Sequence, residues 1–92
     1  MIVFYTKTCD GCTGNHALVN MKSYCKKKGV DFEERRTILW QVYEEEANAI
    51  MENNEGLTLP FFYSEKTGQV LSGNSFTPTT DIEKLVKQEL KS

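Results

Sequence analysis

Ile2-Val3-Phe4-Tyr5 leaves little choice about the middle of this protein. The run is β-branched and aromatic and does not alternate with polar residues, so it reads as a strand buried on both faces. Such a strand needs a covering layer on each side, and helical patterns supply them. After the polar connection Thr6-Lys7-Thr8, the stretch from Cys12 to Lys28 turns helical: Leu18, Met21 and Cys25 share a stripe that Ala17 and Tyr24 widen. Lys26-Lys27-Lys28 suit the negative end of a helix dipole, and Gly29 is the residue expected just past it. Val30 to Arg35 is expected as a second strand. Ile38 to Asn53 is expected as a second helix, with an apolar face of Leu39, Val42, Tyr43, Ala47, Ile50 and Met51. Glu44-Glu45-Glu46 reads as a solvated rim.

Leu59 to Tyr63 and Gln69 to Ser72 form two further expected strands, joined through Thr67-Gly68, a hairpin-turn composition. A last helix is expected from Thr80, because Thr80-Asp81-Ile82-Glu83 has the capping-box pattern; Ile82, Leu85, Val86 and Leu90 make its apolar face. The order βαβαββα predicts one α/β domain over residues 1–92, a four-stranded mixed sheet with helices on both faces.

Eleven basic and thirteen acidic side chains give a net charge of −2, without the basic excess expected of a nucleic-acid binder. No apolar run approaches the roughly 18–20 residues of a membrane helix. The opening residues lack a basic leader and an apolar signal region, so the expected compartment is cytoplasmic. A monomer is expected. Three cysteines are too few for a secreted disulfide scaffold. Two of them form Cys9-Asp10-Gly11-Cys12.

That pair carries the chemistry. At a helix start, residues three apart are neighbours at about 5–6 Å between Cβ atoms, and a disulfide needs Cα atoms roughly 4.4–6.8 Å apart. The pair can therefore close and reopen a small ring, which thiol–disulfide exchange requires. Unpaired N–H groups and the dipole at a helix N-terminus favour the thiolate, the attacking species. Cys9, at the exposed end, is the expected nucleophile, and Cys12 the resolving thiol. Lys7 adds positive charge. Asp10 opposes it, since a neighbouring carboxylate disfavours a second anion. Leu59-Pro60 is the second signal, an X–Pro bond at a strand start. If it packs against the pair, the Leu59 backbone can take an extended substrate as an added strand. From Pro60 alone, a plain edge-strand proline is the better reading.

The chain resembles glutaredoxins and the glutaredoxin-like redoxins that serve ribonucleotide reductase. The resemblance rests on Val3-Phe4-Tyr5-Thr6-Lys7-Thr8-Cys9-Asp10-Gly11-Cys12, on Thr58-Leu59-Pro60, and on Ser72-Gly73 ahead of the last helix. It implies a thioredoxin-like fold with Pro60 cis and beside the cysteines, which reverses the plain reading of that proline. It also implies an electron carrier that reduces protein or glutathione mixed disulfides, with ribonucleotide reductase as one acceptor. Glutathione as co-substrate, or thioredoxin reductase, would recharge it, with no other cofactor. Gly73, Thr80 and Asp81 are the nearest matches to the segment that holds the γ-glutamyl end of glutathione. The family usually places proline and a bulky residue where Asp10 and Gly11 stand, and its loop before the last helix is shorter, so both reductants stay open. The reduction potential expected of such a protein is roughly −200 to −270 mV.

Cys25 lies on an apolar stripe and reads as a small buried hydrophobe. His16, one turn beyond Cys12, can tune that thiol or ligate metal, but a surface histidine is the simpler reading. The competing class is a zinc- or iron–sulfur-binding module without redox turnover, built on Cys9, Cys12 and His16. Cys25 is too far along a continuous helix to join such a site, roughly 20 Å from Cys12 at 1.5 Å per residue. No metal ligand is therefore assigned. Trp40 is expected to be partly buried.

Overall fold

The computed structural model describes residues 1–7, 16–73 and 77–91. Its elements are β1 (Ile2–Thr6), α1 (His16–Lys28), β2 (Phe32–Arg36), α2 (Gln41–Asn53), β3 (Phe61–Ser64), β4 (Val70–Ser72) and α3 (Thr79–Lys91). The four strands form one mixed sheet in the order β2-β1-β3-β4. β2 runs parallel to β1, β3 antiparallel to β1, and β4 antiparallel to β3. This is the thioredoxin-like α/β layout that the element order implied.

β1 holds the molecule together because its side chains alternate between two buried layers. Ile2 and Phe4 face α1 and α3, in a cluster with Leu18, Met21, Cys25, Phe62, Ile82 and Val86. Val3 and Tyr5 face α2, in a smaller cluster with Ala47 and Phe61 that Ile50, Met51 and Leu59 extend. All five residues of β1 are buried, as the unbroken apolar run requires. Aromatic pairs fix both layers: Phe4 and Phe62 have ring centroids 4.8 Å apart, and Tyr5 and Phe61 5.2 Å apart.

Turn chemistry shifts several expected boundaries. Gly29, at φ +74°, ends α1 in a Schellman arrangement: its N–H bonds the Lys26 carbonyl at 3.4 Å, and the Val30 N–H bonds the Cys25 carbonyl at 2.9 Å. Val30 thus belongs to the helix cap, and β2 starts at Phe32. Helix α2 starts at Gln41 rather than Ile38. A turn closed by the Leu39 N–H on the Arg36 carbonyl comes first, and Trp40, in extended conformation, caps the helix through its carbonyl. Ile38, Leu39, Trp40 and Val42 are consequently exposed, which corrects the apolar face assigned to Leu39 and Val42 and the partial burial assigned to Trp40. β3 starts at Phe61, since Pro60 has no N–H to give the ladder. Helix α3 starts at Thr79, and the Pro78 carbonyl accepts from Asp81 and Ile82. Thr80 therefore lies inside the first turn, and the capping box is not formed. Leu90, assigned to the inner face, is exposed.

Two polar networks were not visible as such in the sequence. Arg35 on β2 donates from Nη1 to Tyr5 Oη at 3.0 Å and to Glu46 Oε1 at 2.8 Å; Tyr5 donates to the same Glu46 oxygen at 2.9 Å. Its guanidinium also lies 5.5 Å from the centre of the Tyr43 ring. Burial, reinforced by Glu46, pushes the Tyr5 phenol up to about 12. Glu46 is thus a partner in this network and not part of a solvated rim.

The second network surrounds Glu89 on α3, whose carboxylate is buried. It accepts from Ser64 Oγ at 2.5 Å and from the Met1 ammonium at 2.9 Å. Burial opposes its ionisation, but these bonds outweigh that effect and hold the carboxyl below its usual range. A depressed carboxyl stabilises the fold above its unfolded pKa, and that contribution fades as pH falls through the folded value. Glu89→Gln is expected to cost about 1.5–3 kcal/mol at pH 7. The difference from wild type should shrink below about pH 4, as urea unfolding at the two pH values will show.

Candidate functional site

Among the described residues, Lys7, Leu59, Pro60 and Gly73 lie at the carboxyl edge of β1. β1 ends at Thr6 and α1 begins at His16, so the segment carrying the cysteine pair connects the central strand to the first helix. Cys9, Asp10 and Cys12, assigned as nucleophile, tuning acid and resolving thiol, lie outside the described residues, as does the start of the helix expected from Cys12.

On the sheet side of this edge, the Leu59–Pro60 peptide bond is cis, as the resemblance implied. The Pro60 carbonyl accepts from the Gly73 N–H at 3.1 Å, which ties the start of β3 to the end of β4. Gly73 is needed here for space. A Cβ at this position would lie 2.6 Å from the Phe4 ring and 3.3 Å from the Pro60 oxygen. Phe4 has no exposed surface and rests on Phe62, so the ring has little room to yield. Gly73→Ala is expected to destabilise the fold by about 1–3 kcal/mol, read from the urea midpoint at unchanged m-value.

On the α2 side, a cavity of about 370 Å³ opens between β1, α2 and the Thr58-Leu59 segment. Lys7, Thr37, Glu44, Asn48 and Thr58 bring polar groups to its walls, and Ala47, Met51 and Leu59 give it an apolar floor. Two of the expected substrate-binding residues, Lys7 and Leu59, thus share one cavity next to Pro60. Among the described residues, no hydrogen bond engages the Leu59 backbone.

The other expected site residues are placed differently. Thr80 and Asp81 sit in the first turn of α3, and Asp81 lines a separate cavity of about 200 Å³ with Val70 and Lys84. His16 is exposed at the first described position of α1, in keeping with a surface histidine. Cys25 is buried in the larger core layer. Burial, and then the charge of Glu89, push its thiol up to about 11, so it stays protonated at neutral pH and unsuited to attack.

The cavity residues Thr37, Glu44 and Asn48 were not identified from the sequence. Thr37 is positioned by its N–H on the Thr6 carbonyl at 2.8 Å, and the only sequence signal for it was its place at the end of a strand parallel to β1. Glu44 and Asn48 are four apart on α2 and so share a helix face, but composition had marked Glu44 as a plain surface acid.

The fold has a thioredoxin-like α/β layout, and the sequence places Cys9-Asp10-Gly11-Cys12 between β1 and α1. Comparisons with protein-family models, curated proteins and solved structures found no significant match to the chain.

Proposed function

We propose that the protein is a thiol–disulfide oxidoreductase of the glutaredoxin kind. The observation that supports this reading is that Lys7, two residues before Cys9 in the sequence, shares a cavity with Thr58 and Leu59, next to the cis Leu59–Pro60 bond. Cys9 attacks one sulfur of a substrate disulfide as the thiolate. The substrate S–S bond breaks, and the departing sulfur takes up a proton. Cys12 then loses its proton and attacks the Cys9 sulfur, releasing the second substrate thiol and leaving a Cys9–Cys12 disulfide. Two electrons pass from the dithiol to the substrate. An external thiol reductant, glutathione or a thioredoxin reductase, restores the dithiol.

The protein environment contributes in three ways. Lys7 and the helix start expected at Cys12 favour the thiolate over the thiol. The Leu59 N–H and C=O offer an extended substrate the pairing groups of a strand edge. The buried aromatic pairs beneath the site hold β1 and β3 in register. The acceptor is a disulfide-bearing protein, ribonucleotide reductase among the class. The deciding experiment measures reduction of a mixed disulfide with glutathione and glutathione reductase, and separately with NADPH and thioredoxin reductase. Turnover with at least one system is expected; none with either would overturn the proposal.

A further inference from the structure

The cavity beside Leu59 has a charge pattern that the exchange chemistry does not use. Lys7 lies two residues before Cys9 in the sequence and in the proposed mechanism supports the thiolate. Glu44 stands in the same cavity wall, and among the described residues neither Lys7 nor Glu44 has an ion-pair partner. An anion here repels carboxylates and attracts cations on whatever occupies the cavity.

A second observation concerns the size of the occupant. The chain between cavity residues Thr37 and Glu44 carries four exposed large apolar side chains. Ile38, Leu39, Trp40 and Val42 are 68%, 59%, 62% and 53% exposed. An exposed apolar group of this kind, next to a cavity with an apolar floor, marks contact with a protein rather than with a small polar thiol. The third observation is the unengaged Leu59 backbone, which suits an extended polypeptide.

Resting on the oxidoreductase reading, we propose that the preferred substrate is a polypeptide disulfide with a basic residue beside its cysteine. The peptide runs along Leu59, its basic side chain enters the cavity toward Glu44, and flanking apolar residues cover Trp40 and its neighbours. Glu44 is then a specificity-determining residue, selecting against acidic partners, glutathione included.

The test uses two short synthetic peptides, each carrying one cysteine blocked as a mixed disulfide with the same small thiol. One has lysines flanking the cysteine, the other glutamates. Wild type is expected to show a kcat/KM about 3–5-fold higher for the lysine peptide, the scale of one exposed charge pair, and mainly through KM. The preference should weaken in 0.5 M salt, where screening reaches only a few ångströms. It should vanish in Glu44→Gln and reverse in Glu44→Lys. Trp40→Ala should raise KM for both peptides once apolar residues are added beyond the lysines or glutamates. Equal kcat/KM for the two peptides in wild type, or a preference unchanged in Glu44→Lys, would overturn this inference while leaving Cys9-dependent reduction intact. Absence of reduction of either peptide would remove the oxidoreductase reading and this inference with it.

Discussion

Cys9→Ser should reduce disulfide reduction to the uncatalysed background, a loss on the order of 1,000-fold or more, because the variant has no sulfur with which to open the substrate bond. Cys12→Ser should behave differently. Attack by Cys9 is preserved, so a covalent mixed disulfide with a protein substrate forms and then accumulates, since no second thiol releases it. Mass spectrometry of the two variants after incubation with a protein disulfide separates these outcomes. An adduct on the Cys12→Ser protein and none on the Cys9→Ser protein is the expected pattern. Full turnover by Cys9→Ser would end the proposed mechanism. Cys25 will not substitute for either sulfur, because it is buried among Leu18, Met21 and Val86 and its thiol is protonated at neutral pH.

The largest expected effect on stability comes from Phe62→Ala. Phe62 has no exposed surface and stacks on Phe4 at 4.8 Å and near Phe32 at 6.4 Å. Removing its ring leaves a void between β1, β3 and the α1–α3 layer, at a cost of about 3–5 kcal/mol. A domain of this size has a total stability of roughly 5–15 kcal/mol, so the loss is a large share of it. At about 4–8 °C per kcal/mol, the melting temperature should fall by at least about 12 °C. Phe62→Leu keeps most of the apolar volume and should cost clearly less. Calorimetry on the three proteins checks the order, and a melting temperature for Phe62→Ala within 3 °C of wild type would contradict the packing described.

The strands and helices were legible in the sequence because their signals are local. The unbroken Ile2–Tyr5 run, the Gly29 stop and the Thr67-Gly68 hairpin each act within a few residues, and each element was recovered. Boundaries moved where a neighbouring motif claimed the terminal residues. Val30 went to the α1 cap, Leu59 and Pro60 to the bend ahead of β3, and Ile38 to Trp40 to the turn ahead of α2. The site was legible only in part, for a different reason. Lys7 and Leu59, which line the cavity, stood out in the sequence because they flank recognisable motifs. Glu44 and Asn48 enter through the packing of α2 on the sheet, and Glu46 through its bonds to Tyr5 and Arg35. Each depends on which helix face meets which strand, and a run of three glutamates gives no hint of that.

The division of β1 between two layers has a consequence for how such a protein can change. The side of the sheet bearing Phe4 and Phe62 carries α1, α3 and the tight approach of Gly73, and tolerates little alteration. The opposite side carries α2 and the cavity, over the smaller of the two layers. If the proposed function holds, replacements along the solvent-facing part of α2 can retarget the molecule toward new clients while its foundation stays untouched, so that lineage divergence should concentrate on that one helix.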